Sequence, residues 1–269
     1  MSTFRLQQFS IEQNLSGMKV CSDSLLFGAM IPLTGAQRVL DIGTGTGLLA
    51  LMQAQKADAL KTKIALTAIE LTPEAATEAT KNFSASKWSH ALQLIQQDVQ
   101  SFARQQAALR CSTDIKEAAK AQTYDLIICN PPFFVDHSRT HKKEALRSIA
   151  RHTDTLSYRQ LCESMSNLLA MDGRAFVLIP AAAIDTFVKT ARISGLLVAE
   201  ITYIAESLKH AAKVAILSLN HSQNSVADDM QKSMKTHTVY KFDDNKSHTR
   251  EVKTYLQPFL LRYGEDASL

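Results

Sequence analysis

The chain has no run of about 18 consecutive apolar residues, so no membrane-spanning helix is expected. Its first segment, Met1 to Asn14, is mixed and polar and carries no apolar stretch of the kind that directs secretion. The four cysteines (Cys21, Cys111, Cys129 and Cys162) are scattered and show no zinc-like spacing. Reduced, buried thiols in a cytoplasmic protein are expected. No internal repeat, low-complexity tract or Pro/Gly-rich linker divides the 269 residues, and one domain is the expectation. Glycine is the most telling shortage: there are only 9, roughly half the usual share of about 7%. Yet Gly43, Gly45 and Gly47 place three of them within five residues, a concentration that asks for a backbone reason.

What is present suffices for a core, with 45% of residues hydrophobic and 21% charged. The net charge of +4 permits a nucleic-acid partner without demanding one. Apolar runs alternate with helical stretches from about residue 37 to 220, the pattern of an α/β doubly wound sheet. Strands are expected at Arg38 to Ile42, Ile64 to Ile69, Leu92 to Ile95, Tyr124 to Cys129 and Arg174 to Ile179. Leu197 to Ile204 and Lys213 to Leu219 read as a closing antiparallel pair, giving seven strands, mostly parallel. The helices between them are expected at Leu48 to Lys56, Pro73 to about Ser84, Ser101 to Lys120 with a break at Cys111 to Asp114, Tyr158 to Met171 capped by Gly173, and Ile184 to Ser194. Upstream, Ser22 or Asp23 caps a helix through Met30. His221 to Thr236 reads as a polar insertion, followed by a strand, Thr238 to Phe242, and a helix, Thr249 to Tyr263. Residues 1–36 then form an N-terminal segment, 37–220 the core and 237–269 a C-terminal strand and helix.

The glycines sit in Val39-Leu-Asp-Ile-Gly-Thr-Gly-Thr-Gly47, between a buried strand and a helix. Glycine there lets the backbone turn tightly and approach a ligand where a Cβ would collide. The spacing is Gly-x-Gly-x-Gly behind Asp41, not the Gly-x-Gly-x-x-Gly of dinucleotide binders. Asp41 would repel a pyrophosphate but suits a cationic ligand such as the ammonium and sulfonium of S-adenosylmethionine. Glu70, at the end of the next strand, is placed to accept both hydroxyls of a ribose. Asp98, after the third strand, either accepts from an adenine amino group or caps the helix beginning at Val99.

The fourth strand stops at Asn130-Pro-Pro-Phe133. An exocyclic amine on a base is a poor nucleophile because its lone pair is delocalised into the ring. Two acceptors that hold both of its N–H groups draw the nitrogen toward tetrahedral geometry. The Asn130 side-chain oxygen and the Pro131 carbonyl can be those acceptors, Pro131 and Pro132 stiffen the loop, and Phe133 can stack on a planar base.

Together, Asp41 to Gly47 and Asn130 to Phe133 resemble an S-adenosylmethionine-dependent amino-methyltransferase of Rossmann-like fold. With Met18 to Asp23, Leu25 to Gly28 and the run on to Met52, the chain is similar to the bacterial tRNA1(Val) adenine-N6-methyltransferase family. The resemblance implies methylation of the adenine 3′ of the anticodon, with S-adenosylmethionine as cofactor and tRNA as partner. It makes Lys19 and Asp23 part of an N-terminal lid over the cofactor. It makes Asp41, Gly43, Gly45, Gly47, Glu70, Asp98 and Asn130 cofactor contacts, and Asn130 to Phe133 the catalytic loop. The chain departs from that pattern at Cys21, where a small residue such as glycine is expected, and in longer stretches at Arg104 to Gln122 and His221 to Thr236.

Between Asp136 and Asp154, the basic residues Arg139, Lys142, Lys143, Arg147 and Arg151 either track phosphates of an RNA loop or form an ordinary solvated face. His137 and His141 stand four apart but bring no evident third ligand, so no metal is expected. Trp88 is expected to pack behind the sheet, and a monomer is expected. Other readings of the same loop are guanine N2 of ribosomal RNA, glutamine N5 of a protein, and an inactive cofactor-binding subunit.

Overall fold

The computed structural model describes residues 2–17, 19–131, 156–222, 233–241 and 247–264. It opens with an antiparallel hairpin, β1 (Thr3–Arg5) and β2 (Ser10–Glu12), which no sequence pattern announced. Helix α1 (Ser22–Met30) follows, and its cap is Cys21, one residue before the expected Ser22 or Asp23. The Cys21 amide donates to the Ser24 hydroxyl at 3.2 Å, which satisfies a donor that α1 itself leaves free.

Next come β3 (Arg38–Ile42), α2 (Leu48–Ala59), β4 (Ala65–Glu70), α3 (Pro73–Ala85) and β5 (Leu92–Gln96), close to the expected bounds. Asp98 caps α4 (Val99–Arg110), Asp114 caps the single turn α5 (Ile115–Ala118), and β6 (Tyr124–Cys129) lies where its apolar run placed it. The remaining elements are α6 (Tyr158–Leu168), β7 (Leu169–Pro180), α7 (Ile184–Ile193), β8 (Leu196–Ala205), β9 (Val214–His221), β10 (Ser233–Thr238) and α8 (Arg250–Leu256).

Three expectations are corrected here. Gly173 does not cap α6, which ends five residues earlier. It lies inside β7 beside the register shift at Tyr124, and a Cβ there would meet the Tyr124 carbonyl at 2.9 Å. The late strand is β10, so Ser233 to Thr236 belong to the sheet and not to a polar insertion. Its polar sequence suits an edge, where one neighbour suffices and Lys235 pairs with Glu200 at 3.0 Å. The last helix stops at Leu256, just ahead of Pro258, and a separate 3₁₀ turn covers Leu261–Tyr263.

Among the described residues the main sheet has eight strands in the order β10-β8-β9-β7-β6-β3-β4-β5. All pairs are parallel except those made by β9, the expected closing antiparallel strand, and β10 is the addition to the expected seven. Side chains alternate between two apolar layers, as the two-residue period of a strand requires. Val39, Leu126 and Ile128 face α1, α2 and α8, whereas Leu40, Ile42, Ile127 and Cys129 face α4, α6 and α7. Trp88 is buried against the N-terminal hairpin, edge-on to Phe9 at 5.9 Å. All four cysteines are free thiols, but only Cys129 and Cys162 are buried; burial pushes the Cys162 thiol up to about 12. Cys21 and Cys111 are exposed because both sit at helix ends.

Candidate active site

The parallel strands bring the ends of β3, β4 and β6 to one edge of the sheet. Ile42 pairs with Ile69 on one side and with Cys129 on the other. Glu70 and Asn130 therefore flank the start of the glycine loop, each about 4.8 Å away across one strand spacing.

The loop is held by its own backbone and by side chains from the next strand and helix. The amides of Gly43 and Thr44 both donate to the Ile69 carbonyl, at 2.9 and 3.0 Å. The Gly45 amide donates to Oε2 of Glu70 at 2.9 Å, while Oε1 accepts from the Thr72 amide and hydroxyl, both at 2.9 Å. Gly43 and Gly45 have φ of 67° and 57°, and open space lies where a Cβ would stand. That open backbone is what a close-lying ligand needs. Gly47 serves packing: its φ is 86°, and a Cβ would meet Cε1 of Phe83 at 2.4 Å.

Asp41 lies behind the loop, fully buried. Its Oδ2 accepts from the Thr44 hydroxyl at 2.6 Å, and Oδ1 has no hydrogen-bond partner among the described residues. Burial pushes its pKa up to about 7, against the lowering effects of the Thr44 hydroxyl and the Ala50 amide, and the Glu70 charge raises it further. On the other side of the loop, Oδ1 of Asn130 is also buried and without a partner among the described residues, and Pro131 is buried beside it. Each unpaired buried acceptor costs about 1–3 kcal/mol, so two of them at the neighbouring ends of β3 and β6 fit a site that donors complete.

Asp98 caps α4, with its carboxylate accepting from the Gln100 and Ser101 amides at 3.2 Å and from the Ser101 hydroxyl at 3.0 Å. Of the two alternatives for Asp98, the cap is the one the structure shows. Lys19 is exposed before α1. Asp23 is half-buried, and burial raises its pKa while nearby Lys213 lowers it and Glu206 raises it. Both of these charged neighbours stand between β8 and β9. Pro132, Phe133, Arg139, Lys142 and Lys143 lie outside the described residues, as do Arg147, Arg151, His137 and His141. Among the described residues no group of three or more His, Cys, Asp or Glu could hold a metal ion, and no helix is long and apolar enough to cross a membrane.

Sequence reasoning passed over Thr44, which holds Asp41, and Asn82, whose amide donates to the Thr46 carbonyl at 2.8 Å. Asn82 had one visible signal, a polar residue beside Phe83 on a helix face that packs inward.

The donor set fits S-adenosylmethionine. It provides a buried carboxylate for a cation, a second carboxylate at a strand end, bare glycine backbone between them and an unpaired amide oxygen one strand away. Comparison with known proteins agrees with the geometry. Residues 15–158 match the methyltransferase small domain. A tRNA1(Val) (adenine(37)-N6)-methyltransferase from Shewanella woodyi is 35% identical over 97% of this chain and 99% of its own length. One from Trichodesmium erythraeum is 33% identical over 97% and 98%. The chain belongs to the tRNA1(Val) (adenine(37)-N6)-methyltransferase family. Its fold is similar to that of a predicted O-methyltransferase from Agrobacterium tumefaciens, at a TM-score of 0.57 and 16% identity over 87% of this chain and 94% of the other. The stretch that matches the methyltransferase small domain takes in Lys19, the glycine loop, Glu70, Asp98 and Asn130. The relationship to the tRNA1(Val) methyltransferases runs on through nearly the whole chain.

Proposed function

We propose that this chain methylates N6 of adenine 37 in tRNA1(Val), with S-adenosylmethionine as methyl donor. The observation that carries the reading is its 35% identity, over 97% of its length, to a relative of that name. The placement of Asn130 beside the glycine loop gives the reading a chemistry.

S-adenosylmethionine supplies an electrophilic methyl group on a sulfonium. The backbone at Gly43 and Gly45 would give it room, Asp41 would take its cationic end, Glu70 would accept from the ribose, and Asp98, while capping α4, would keep one acceptor site for the adenine amino group. Lys19 and Asp23 belong to the N-terminal segment that covers it. Asn130 Oδ1 and the Pro131 carbonyl accept the two N–H groups of the target adenine, which localises the nitrogen lone pair and aims it. No strong general base is needed, because the amine becomes acidic only once it has been alkylated. Pro132 keeps the loop stiff, Phe133 stacks on the base, and Arg139, Lys142 and Lys143 follow the phosphates of the anticodon loop. A loop base is less costly to extract than one in a duplex. The chain works as one methyltransferase domain and as a monomer in the cytoplasm.

The test is mass spectrometry of nucleosides from purified tRNA1(Val) and ribosomal RNA of a strain lacking the gene. N6-methyladenosine is expected to vanish from tRNA1(Val) and to return with the wild-type gene but not with Asn130→Ala. Loss of N2-methylguanosine from ribosomal RNA instead, or no change in either RNA, contradicts the proposal.

A further inference from the structure

Two polar side chains one turn apart on α3, Glu78 and Asn82, are only 2% and 3% exposed. Buried polar groups need partners, and theirs are mostly backbone groups of two other segments. Glu78 accepts from the amides of Asn14, of Leu15 at 2.6 Å and of Ser16 at 2.9 Å. Burial alone would raise the Glu78 carboxyl, but the Leu15, Ser16 and Asn14 amides together outweigh it and hold the pKa below its ordinary value.

Asn82 reaches both ways. Its Oδ1 accepts from the Glu12 amide at 2.9 Å, and its Nδ2 donates to the Glu12 carbonyl at 3.1 Å and to the Thr46 carbonyl at 2.8 Å. Thr46 lies between Gly45 and Gly47. Phe83, the next residue of α3, fills the space that Gly47 leaves for it. Gln13 adds a further tie, accepting from the Val20 amide at 2.8 Å just ahead of α1. Residues 12–16 therefore hang from the same helix turn that holds the glycine loop.

We propose that Asn82 and Glu78 are positioning residues that couple the N-terminal strap, residues 12–16, to the cofactor loop. A single amide group spans both segments, so a ligand that fixes the backbone around Thr46 also fixes Glu12, and an ordered strap holds the loop in its binding shape. The coupling is reciprocal, as linkage between two sites requires. Glu78 secures the strap after Glu12 by accepting from three of its amides. The inference rests on the cofactor reading above but not on the identity of the RNA.

The experiment is hydrogen exchange by mass spectrometry on peptides covering residues 10–20, with and without S-adenosylhomocysteine, beside calorimetry of the same ligand. In the wild type the ligand is expected to slow exchange in the strap about fivefold, the lower end of ordinary coupling. In Asn82→Ala that slowing is expected to disappear, cofactor affinity to fall about fivefold by the same linkage, and kcat at saturating cofactor to stay near wild type. Asn82→Asp keeps the acceptor for the Glu12 amide and loses both donors, so it is expected to be uncoupled even where the alanine variant folds poorly. Glu78→Gln keeps the Thr46 bond, and it is expected to speed strap exchange yet retain the ligand-dependent slowing at Glu12. Ligand binding to the wild type with no change in strap exchange, or full slowing in both Asn82 variants, overturns this inference alone. No ligand binding to the wild type overturns the cofactor reading and this inference with it.

Discussion

The amide of Gly45 donates to Oε2 of Glu70 at 2.9 Å, so the carboxylate that ends β4 and the loop that leaves β3 form one unit. Glu70 thus shapes the loop, and on the proposed function it also accepts from the ligand. Glu70→Ala removes both, and the loss of a charged acceptor worth about 1.5–3 kcal/mol is expected to weaken cofactor binding about 10- to 100-fold. Glu70→Gln keeps one oxygen and should fall between. Calorimetry reads both, and unchanged affinity in the alanine variant refutes the assignment.

Asp41 makes the protein pH-sensitive in a defined direction. Its folded pKa, about 7, lies above the ordinary value of 3.8, so the folded state holds the proton more tightly than the unfolded one. Its neutral form stabilises the free protein fully at low pH, and that contribution is lost as pH rises through about 7. A cation beside Asp41 favours the ionised form, so cofactor affinity is expected to rise over the same interval. Urea denaturation and calorimetry between about pH 5 and pH 8 are expected to show both slopes in the difference between wild type and Asp41→Asn, which cancels what other groups contribute, Lys56 among them, whose pKa burial lowers to about 7. Parallel profiles in the two proteins contradict the account.

On the proposed function, Asn130→Ala removes an acceptor for the reacting amine but leaves the glycine loop intact. Methyl transfer is expected to fall by at least about 10²-fold, the usual cost of losing one preorganised electrostatic contact. Cofactor affinity is expected to remain nearly unchanged. Wild-type activity in a tritiated-methyl assay would remove Asn130 from the mechanism.

The glycines should separate by task. Gly47→Ala drives a Cβ to 2.4 Å from Phe83 at a φ of 86°, and overpacking of this kind costs about 1–3 kcal/mol. Thermal unfolding is expected to register that loss with or without cofactor. Gly45→Ala meets no atom and pays only for its φ of 57°, about 1–2 kcal/mol, so its main effect is expected on cofactor affinity. Equal effects of both substitutions on stability and on affinity would show that the division is wrong.

Much of this site was legible in the sequence because it is local. The run Val39 to Ile42, the glycines after it, and Tyr124 to Asn130 each carry an apolar strand and a sharp stop within ten residues, and the structure joins them by register alone. Segments held by distant partners were not legible. The hairpin strands β1 and β2 are three residues each, too short to show a period, and β2 is fixed by Asn82, seventy positions away. Strand β10 is polar because it is an edge, so its composition resembled an insertion. Glu78 and Asn82 were passed over, since nothing in a sequence shows that backbone amides from residues 12–16 will meet them. Cys21 took the cap from Ser22 and Asp23 because the Ser24 hydroxyl reaches its amide.

The most direct test of the central claim uses purified protein, S-adenosylmethionine and two unmodified transcripts, tRNA1(Val) and the same tRNA with guanine in place of adenine 37. Digestion and mass spectrometry are expected to find one N6-methyladenosine per molecule in the first, at position 37, and none in the second. Methylation at another position, equal methylation of both transcripts, or none in either would contradict it.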